Sequence, residues 1–183
     1  MSLTAKELSQ RYNQQYLDFE CINGLQILAR ALNDHPLVVN LGAGFGTSAL
    51  ALLESRPDIR VITVDAHDEI TPIGGLASER ATMAEASFLG DDRFEQIHSM
   101  SIPAGDAWDR GSVDMVFVDA SHSYEACKGD ALAWLPHLHH HGVMAFHDYW
   151  ERYGYEVIRA VDEVMVPFEE ILNVSCLRAY RIP

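Results

Sequence analysis

Apolar and polar residues change rhythm repeatedly along the chain. Residues 4–33 hold two segments, TAKELSQRYNQQYL (4–17) and CINGLQILARALN (21–33), whose apolar positions recur at helical spacing. PLVVNL (36–41) is a short β-branched run that predicts a buried strand, and TSALALLESRP (47–57) predicts a helix stopped by Pro57. RVITVDA (60–66) predicts a second strand. The stretch 67–78, with Pro72 and the Gly74-Gly75 pair, predicts a loop, and ERATMAEASFL (79–89) resumes helix. FEQIHSM (94–100) is a weaker strand, AGDAWDRGS (104–112) a connector helix and surface loop, and VDMVFVDA (113–120) a strong strand. YEACKGDALAWLPHL (124–138) predicts a helix ended near Pro136, GVMAFHD (142–148) a strand, YEVIRAVDEVM (155–165) a helix, and EEILNVSCLRAYRI (169–182) one or two closing strands. Strands alternating with helices require crossover connections, which give an α/β fold with a mostly parallel sheet covered on both faces. Ligands gather at the carboxyl ends of such strands. Those ends are residues 40–46, Asp65, Ser99, Asp119 and His147-Asp148.

Composition narrows the functions. The chain has 183 residues and is 48% hydrophobic, enough for one domain with a sizeable core and too short for a second of ordinary size. No apolar run is long enough to span a bilayer, and the polar start lacks the apolar centre of a signal peptide, so a cytoplasmic protein is expected. Cys21, Cys127 and Cys176 are widely separated and odd in number, and read as reduced thiols without a zinc or disulfide framework. Thirteen Lys and Arg against 27 Asp and Glu leave a formal charge of −14. That surface repels phosphate backbones and anionic lipid, so a small molecule is expected as partner rather than nucleic acid or membrane. A homo-oligomer is compatible with the chain.

The segment VVNLGAGFGTSA places Gly42, Gly44 and Gly46 at alternate positions where a strand turns into a helix. Without Cβ they allow φ > 0 and direct approach of a ligand to backbone, although close packing of the turn on protein is the alternative. The dinucleotide fingerprint needs Gly or Ala five residues after its first glycine, and Thr47 stands there. A Walker lysine is absent as well, so a ligand without pyrophosphate or triphosphate fits better. Asp65, at the tip of the second strand, is placed to accept hydrogen bonds from both ribose hydroxyls of an adenosine, its alternative being a helix cap.

These segments, with VITVDAH and VDMVFVDASHSYEACKGDALAWLPHLHHHGVMAFHDY, resemble successive motifs of the class I S-adenosylmethionine-dependent methyltransferases. The last of these segments looks closest to the small branch of macrocin-type sugar O-methyltransferases and cephalosporin-hydroxylase-like proteins. The resemblance covers about residues 36–183, leaving 1–35 as N-terminal helices that cap the site within a single domain, 1–183. It implies a Rossmann-like three-layer sandwich whose seven-stranded, mostly parallel sheet ends in an antiparallel last strand. It also implies that Gly42, Ala43, Gly44 and Gly46 pass the methionine part of the cofactor, that Asp65 with Ala66 holds the ribose, and that Ser99 and Met100, followed by Ser101, border the adenine. Asp119 lies beside the cofactor as well. Asn40 replaces an acid frequent in the family; it is left to orient the turn or to meet the cofactor's ammonium through its carbonyl oxygen.

Methyl transfer to a hydroxyl needs an aligned acceptor, exclusion of water and removal of a proton. Asp119 and His122, with Tyr124 and Glu125 behind them, follow the fourth strand, and His147, Asp148 and Tyr149 follow the fifth. Both tips open on one sheet edge, so Asp119, His122, His147 and Asp148 are expected to converge. A histidine serves as general base there, and equally two carboxylates with an imidazole hold a divalent cation. In metal-dependent relatives acids at these tips bind magnesium, which makes Asp119 and Asp148 the metal candidates, while His147 in place of a second acid favours a histidine base. The plainer roles are helix capping or orientation of the cofactor for Asp119, and capping or pairing with Glu125 for His122. His137, His139, His140 and His141 suggest zinc, but they are placed in the turn before the fifth strand, at the opposite edge, and without helical pairing. Acceptor specificity is left to residues 1–35, the loop 67–78 and YWERYGYE (149–156), whose aromatics Tyr12, Tyr16, Phe19, Tyr149, Trp150, Tyr153 and Tyr155 offer pocket walls or simple packing. The expected activity is methyl transfer to a small-molecule hydroxyl. An adenosine-ligand module without turnover and a nicotinamide oxidoreductase are the alternatives, the last weakened by Thr47.

Overall fold

The computed structural model describes residues 2–13, 16–67, 74–151 and 156–183. Among these residues seven strands form one sheet: β1 (Leu37–Leu41), β2 (Arg60–Asp65), β3 (Phe94–His98), β4 (Val113–Val118), β5 (Leu138–Phe146), β6 (Glu169–Val174) and β7 (Leu177–Arg181). Their spatial order is β3-β2-β1-β4-β5-β7-β6, with β1 to β5 parallel and β7 antiparallel to both of its neighbours. The sheet reverses its winding between β1 and β4. That switch point is where an open α/β sheet leaves a crevice at its carboxyl edge.

Among the described residues seven α-helices cover the sheet: α1 (Ala5–Arg11), α2 (Phe19–Arg30), α3 (Thr47–Ser55), α4 (Leu76–Glu85), α5 (Ser101–Asp106), α6 (Tyr124–Trp134) and α7 (Glu156–Met165). Strand residues alternate between two faces. Val38, Met115, Phe117 and Ala145 pack with α1 to α4, whereas Val39, Val116, Val118 and Phe146 pack with α6 and α7. Both faces are buried, which explains why these strands read as continuous apolar runs. Among the described residues no helix is long and apolar enough to cross a membrane.

Local chemistry sets the N-terminal helices. Thr4 and Glu7 form a reciprocal capping box on α1. This helix stops at Arg11, short of the expected 17, because Asn13 takes φ +53° and breaks the helical path. Asp18 caps α2 by accepting the Cys21 N–H at 2.7 Å. Gly24 lets α2 lie close on β7, since a Cβ there would sit 2.7 Å from Leu177 Cδ2.

Two other boundaries differ from expectation. α4 begins at Leu76, directly after Gly75. β5 begins at Leu138, so His139, His140 and His141 belong to the strand rather than to a turn before it. The register jumps from Val113↔Leu138 to Met115↔Val143, and this bulge absorbs the additional residues, with His141 at φ +69°. The histidines find separate protein partners: His137 with the Gly105 carbonyl and His139 with Asp114, each at 2.8 Å.

Candidate active site

A cavity of about 340 Å3 opens at the carboxyl edge. Its wall is made by residues 42–45 after β1, the start of α3 at Thr47 and Ser48, 64–67 at the tip of β2, 99–101 after β3, and 119–122 after β4, together with Gly74, Asp148, Tyr16 and Leu17. Of the residues expected at the site, Gly42, Ala43, Gly44, Asp65, Ala66, Ser99, Met100, Asp119, His122 and Asp148 are brought together there. Asn40, Gly46 and His147 stand behind the wall.

The glycine turn is shaped largely by protein. Gly42 has φ +97°, and a Cβ on it would lie 2.1 Å from the Asp119 carbonyl oxygen. Gly46 has φ +85° and faces α4, with Glu79 Cα and Thr82 Cβ each 3.2 Å from a Cβ placed there. Close packing, the alternative weighed for the turn, accounts for the missing side chains of these two glycines, while Gly42 and Gly44 still present backbone to the cavity. Asp65 is the turn's anchor: Oδ2 accepts the Ala43 N–H and Oδ1 the His67 N–H, both at 2.7 Å. Each oxygen keeps a lone pair for a further donor. Asn40 is fully buried, and its Nδ2 donates to the Gly42 carbonyl at 2.9 Å and to Thr63 Oγ1 at 3.2 Å. Among the described residues its Oδ1 has no hydrogen-bond partner. Asn40 thus orients the turn.

The β4 and β5 tips bring four ionisable groups into contact. Asp148 sits at φ +57°, a left-handed conformation that Asp tolerates better than most side chains. From there Oδ2 pairs with His122 Nε2 at 2.7 Å and with His147 Nδ1 at 3.2 Å. The same His147 Nδ1 is 3.2 Å from Asp119 Oδ1. His147 Nε2 points the other way, 3.3 Å from Cys176 Sγ. Both ring nitrogens of His147 are thus engaged by protein, its side chain is only 5% exposed, and it does not line the cavity. At the β4–β5 tips the imidazole that lines the cavity is His122, 38% exposed. It pairs with Asp148, not with Glu125, and Ser123 is the cap of α6, so neither Asp119 nor His122 has the capping role.

A model of the methyltransferase-domain family matches residues 39–149, more than half of the chain. The chain belongs to the class I methyltransferase family. A comparison with curated proteins finds no match. Among solved structures, this methyltransferase resembles a Corynebacterium glutamicum protein at 17% identity and TM-score 0.76, covering 97% of this chain and 87% of that one. It resembles an S-adenosylhomocysteine-bound Podospora anserina methyltransferase at 16% identity and TM-score 0.75, covering 98% and 86%. A third is the O-methyltransferase of tomaymycin synthesis from Streptomyces achromogenes, in complex with S-adenosylmethionine, at 17% identity and TM-score 0.69, covering 97% and 87%. These likenesses share the Rossmann-like fold with the methyltransferase.

Electrostatics separates the carboxylates of the methyltransferase. Burial pushes Asp119 up against the pull of His147. Asp148 moves the other way: burial opposes ionisation, but hydrogen bonds from His122 and His147 overcome it. His122 is raised by Asp148 despite burial. His147 is pulled down by burial, yet Asp119, Asp148 and Cys176 together raise it well above the ordinary imidazole value.

Several site residues were not singled out by the sequence. Glu79 is fully buried under the turn, its carboxylate accepting Thr63 Oγ1–H and Gln96 Nε2–H, both at 2.8 Å. The signal was available: Leu76, Glu79 and Met83 share the buried face of α4 at helical spacing. Phe45 stacks on Tyr12 at 3.9 Å and meets Tyr16 at 5.0 Å, which brings the N-terminal segment over the turn. Of the aromatics expected as walls, Tyr16 lines the cavity, while Tyr149 is turned away, its hydroxyl bonded to Asp162 and its ring under Arg178. Tyr153 and Tyr155 lie outside the described residues. Cys21 and Cys176 are free thiols as expected, but although 155 positions apart they meet at 3.7 Å beside His147.

Proposed function

We propose that this methyltransferase uses S-adenosylmethionine to methylate a hydroxyl on a small organic acceptor, with His122 as the proton acceptor. The observation that carries the reading is the joining of two features in one cavity: the anchored turn with Asp65, and the His122–Asp148 pair. The first suits a phosphate-free nucleoside ligand. A cavity of this size agrees with a small-ligand site, and the wall offers backbone at residues 42–44, the carboxylate of Asp65 and the 99–101 segment for a methionine chain, a ribose and an adenine in turn. The cofactor supplies an electrophilic methyl group on a sulfonium.

The chain's own residues do the rest. Asp65, its orientation fixed by Ala43 and His67, accepts from the ribose hydroxyls. His122 takes the proton of the acceptor hydroxyl, and ionised Asp148 stabilises the imidazolium that results. His147 positions Asp119 and Asp148 from behind. Magnesium demands oxygen ligands in near-octahedral array; here each carboxylate is already bonded to imidazole, Asp148 to two, so the donor set favours proton transfer to histidine over a hard cation. The O-methyltransferases among its structural neighbours and the macrocin-like motifs support a small oxygen acceptor, and the acidic surface speaks against a phosphorylated one. The single domain 1–183, capped by its N-terminal segment, belongs to the same reading.

Isothermal titration and an acceptor screen test it. S-adenosylmethionine should bind and NAD should not; binding of NAD alone removes the reading. Asp65→Ala should weaken S-adenosylmethionine by roughly 1.5–3 kcal/mol, the scale of hydrogen bonds to a charged group. Hydroxylated acceptors should release S-adenosylhomocysteine at a rate that added magnesium leaves unchanged. Cofactor binding without turnover across the screen supports the alternative of a binding module.

A further inference from the structure

Behind the cavity wall, three segments remote in sequence deliver three metal-ligating atoms to one buried point. Cys21 comes from the first turn of α2, His147 from the tip of β5, and Cys176 from the β6–β7 turn. Their exposures are 0%, 6% and 2%. We propose that Cys21, Cys176 and His147 form a binding site for zinc or a similarly thiolate-seeking transition ion.

The spacing is that of a coordination shell. With Zn–S of about 2.3 Å, two sulfurs of a tetrahedral site lie about 3.8 Å apart, and the mixed S–N edge is about 3.6 Å. Cys21 Sγ and Cys176 Sγ are 3.7 Å apart, Cys176 Sγ and His147 Nε2 are 3.3 Å apart, and all three donors fall within 4.8 Å of one another.

The histidine is prepared as a ligand. Asp119 and Asp148 both take His147 Nδ1 as partner, which places a proton on Nδ1 and turns Nε2 toward the sulfurs. A carboxylate on the far nitrogen is the usual support of a metal-bound imidazole. Loading requires neutral His147 with a bare Nε2 and both cysteines as thiolates, so it releases the protons that the imidazole and the thiols hold beforehand; Zn2+ and two thiolates are then neutral together and tolerate burial. Three protein donors leave a fourth position to water or a small ligand. Binding joins α2 to the sheet, where the Asp18–Ser175 hydrogen bond at 2.7 Å already links the same two segments.

This site is independent of the methyl acceptor and is tested without turnover. The full chain, reduced and stripped with a chelator, is titrated with Co2+ and then Zn2+. One equivalent of cobalt should bind with thiolate-to-cobalt absorption, zinc should displace it, and the melting temperature should rise. The absorption should be lost in Cys21→Ser and in Cys176→Ser, and kept in Cys127→Ser, whose sulfur lies elsewhere in the core. X-ray absorption of the zinc-loaded wild type should show two sulfurs and one imidazole, which decides the matter even where a variant fails to fold. A shell of nitrogen and oxygen alone, as the 137–141 histidines would give, overturns the proposal; so does absence of binding, or a sulfur band that survives both substitutions.

Discussion

The glycine turn and the β4–β5 tips line one cavity, yet one is built from backbone and the other from side chains. The turn is a single stretch of chain, held by the Asp119 carbonyl just past β4 against Gly42, by α4 against Gly46, and by the two bonds of Asp65. The tips are a web of Asp119, His122, His147 and Asp148, with Cys21 and Cys176 attached from distant segments. A backbone cradle recognises what a whole family shares and tolerates little change. A side-chain web retunes by single substitutions, which is where a fold used for one transfer chemistry acquires different acceptors.

Separating the two regions by function gives the largest expected effect. His122→Gln keeps size and polarity but removes the basic nitrogen at the wall. Turnover should fall about 10²–10⁴-fold, the usual worth of a general base, while titration finds cofactor affinity nearly unchanged. Retained turnover would move the proton to another group; a matching loss of cofactor binding would mean that the two regions are not separable.

The next effect concerns stability. Gly42→Ala meets both a left-handed φ, at about 1–3 kcal/mol, and a Cβ 2.1 Å from the Asp119 oxygen, with overpacking costing about 1–3 kcal/mol more. Gly90→Ala is the control, since Gly90 has φ +84° with nothing within 4 Å of the added methyl. Urea unfolding should show the Gly42 variant losing clearly more than the Gly90 variant. Equal losses would mean that conformation alone, rather than packing of the turn on β4, holds this region.

The same contrast explains what could be read from the chain. β1, the turn and Asp65 lie within 37–65, so their order and spacing were visible as pattern, and the alternation of strands and helices gave the sheet. His122 and Asp148 were recognisable as strand-tip residues, but which imidazole faces the cavity depends on side-chain direction. His147 and Asp148 are adjacent, yet the left-handed turn at Asp148 sends one inward and leaves the other on the wall. The meeting of Cys21 with Cys176 required knowing that β7 lies antiparallel beside β5, so that its preceding turn returns to the β5 tip. Spacing along a sequence carries no trace of that approach. The histidine run was misplaced because a bulge in β5 lengthens the strand without an apolar signal.

Glu79 offers the finest probe of the backbone region, because it is a carboxyl buried beneath the turn. Burial, opposed by bonds from Gln96 and Thr63, raises its pKa from the ordinary 4.5 to about 8. Between those values the folded chain holds a proton that the unfolded chain has released, so its contribution to stability is complete below 4.5, declines as pH rises, and is gone above about 8. The slope is at most about 1.4 kcal/mol per pH unit for one group. Urea unfolding of the wild type and of Glu79→Gln at pH 6, 7 and 8 isolates it: whatever the substitution costs outright, the variant's stability should fall less steeply with pH. Parallel curves would mean that Glu79 is ionised throughout. Asn40, which reaches Glu79 through Thr63, would then orient the turn above a charged carboxylate rather than a neutral acid.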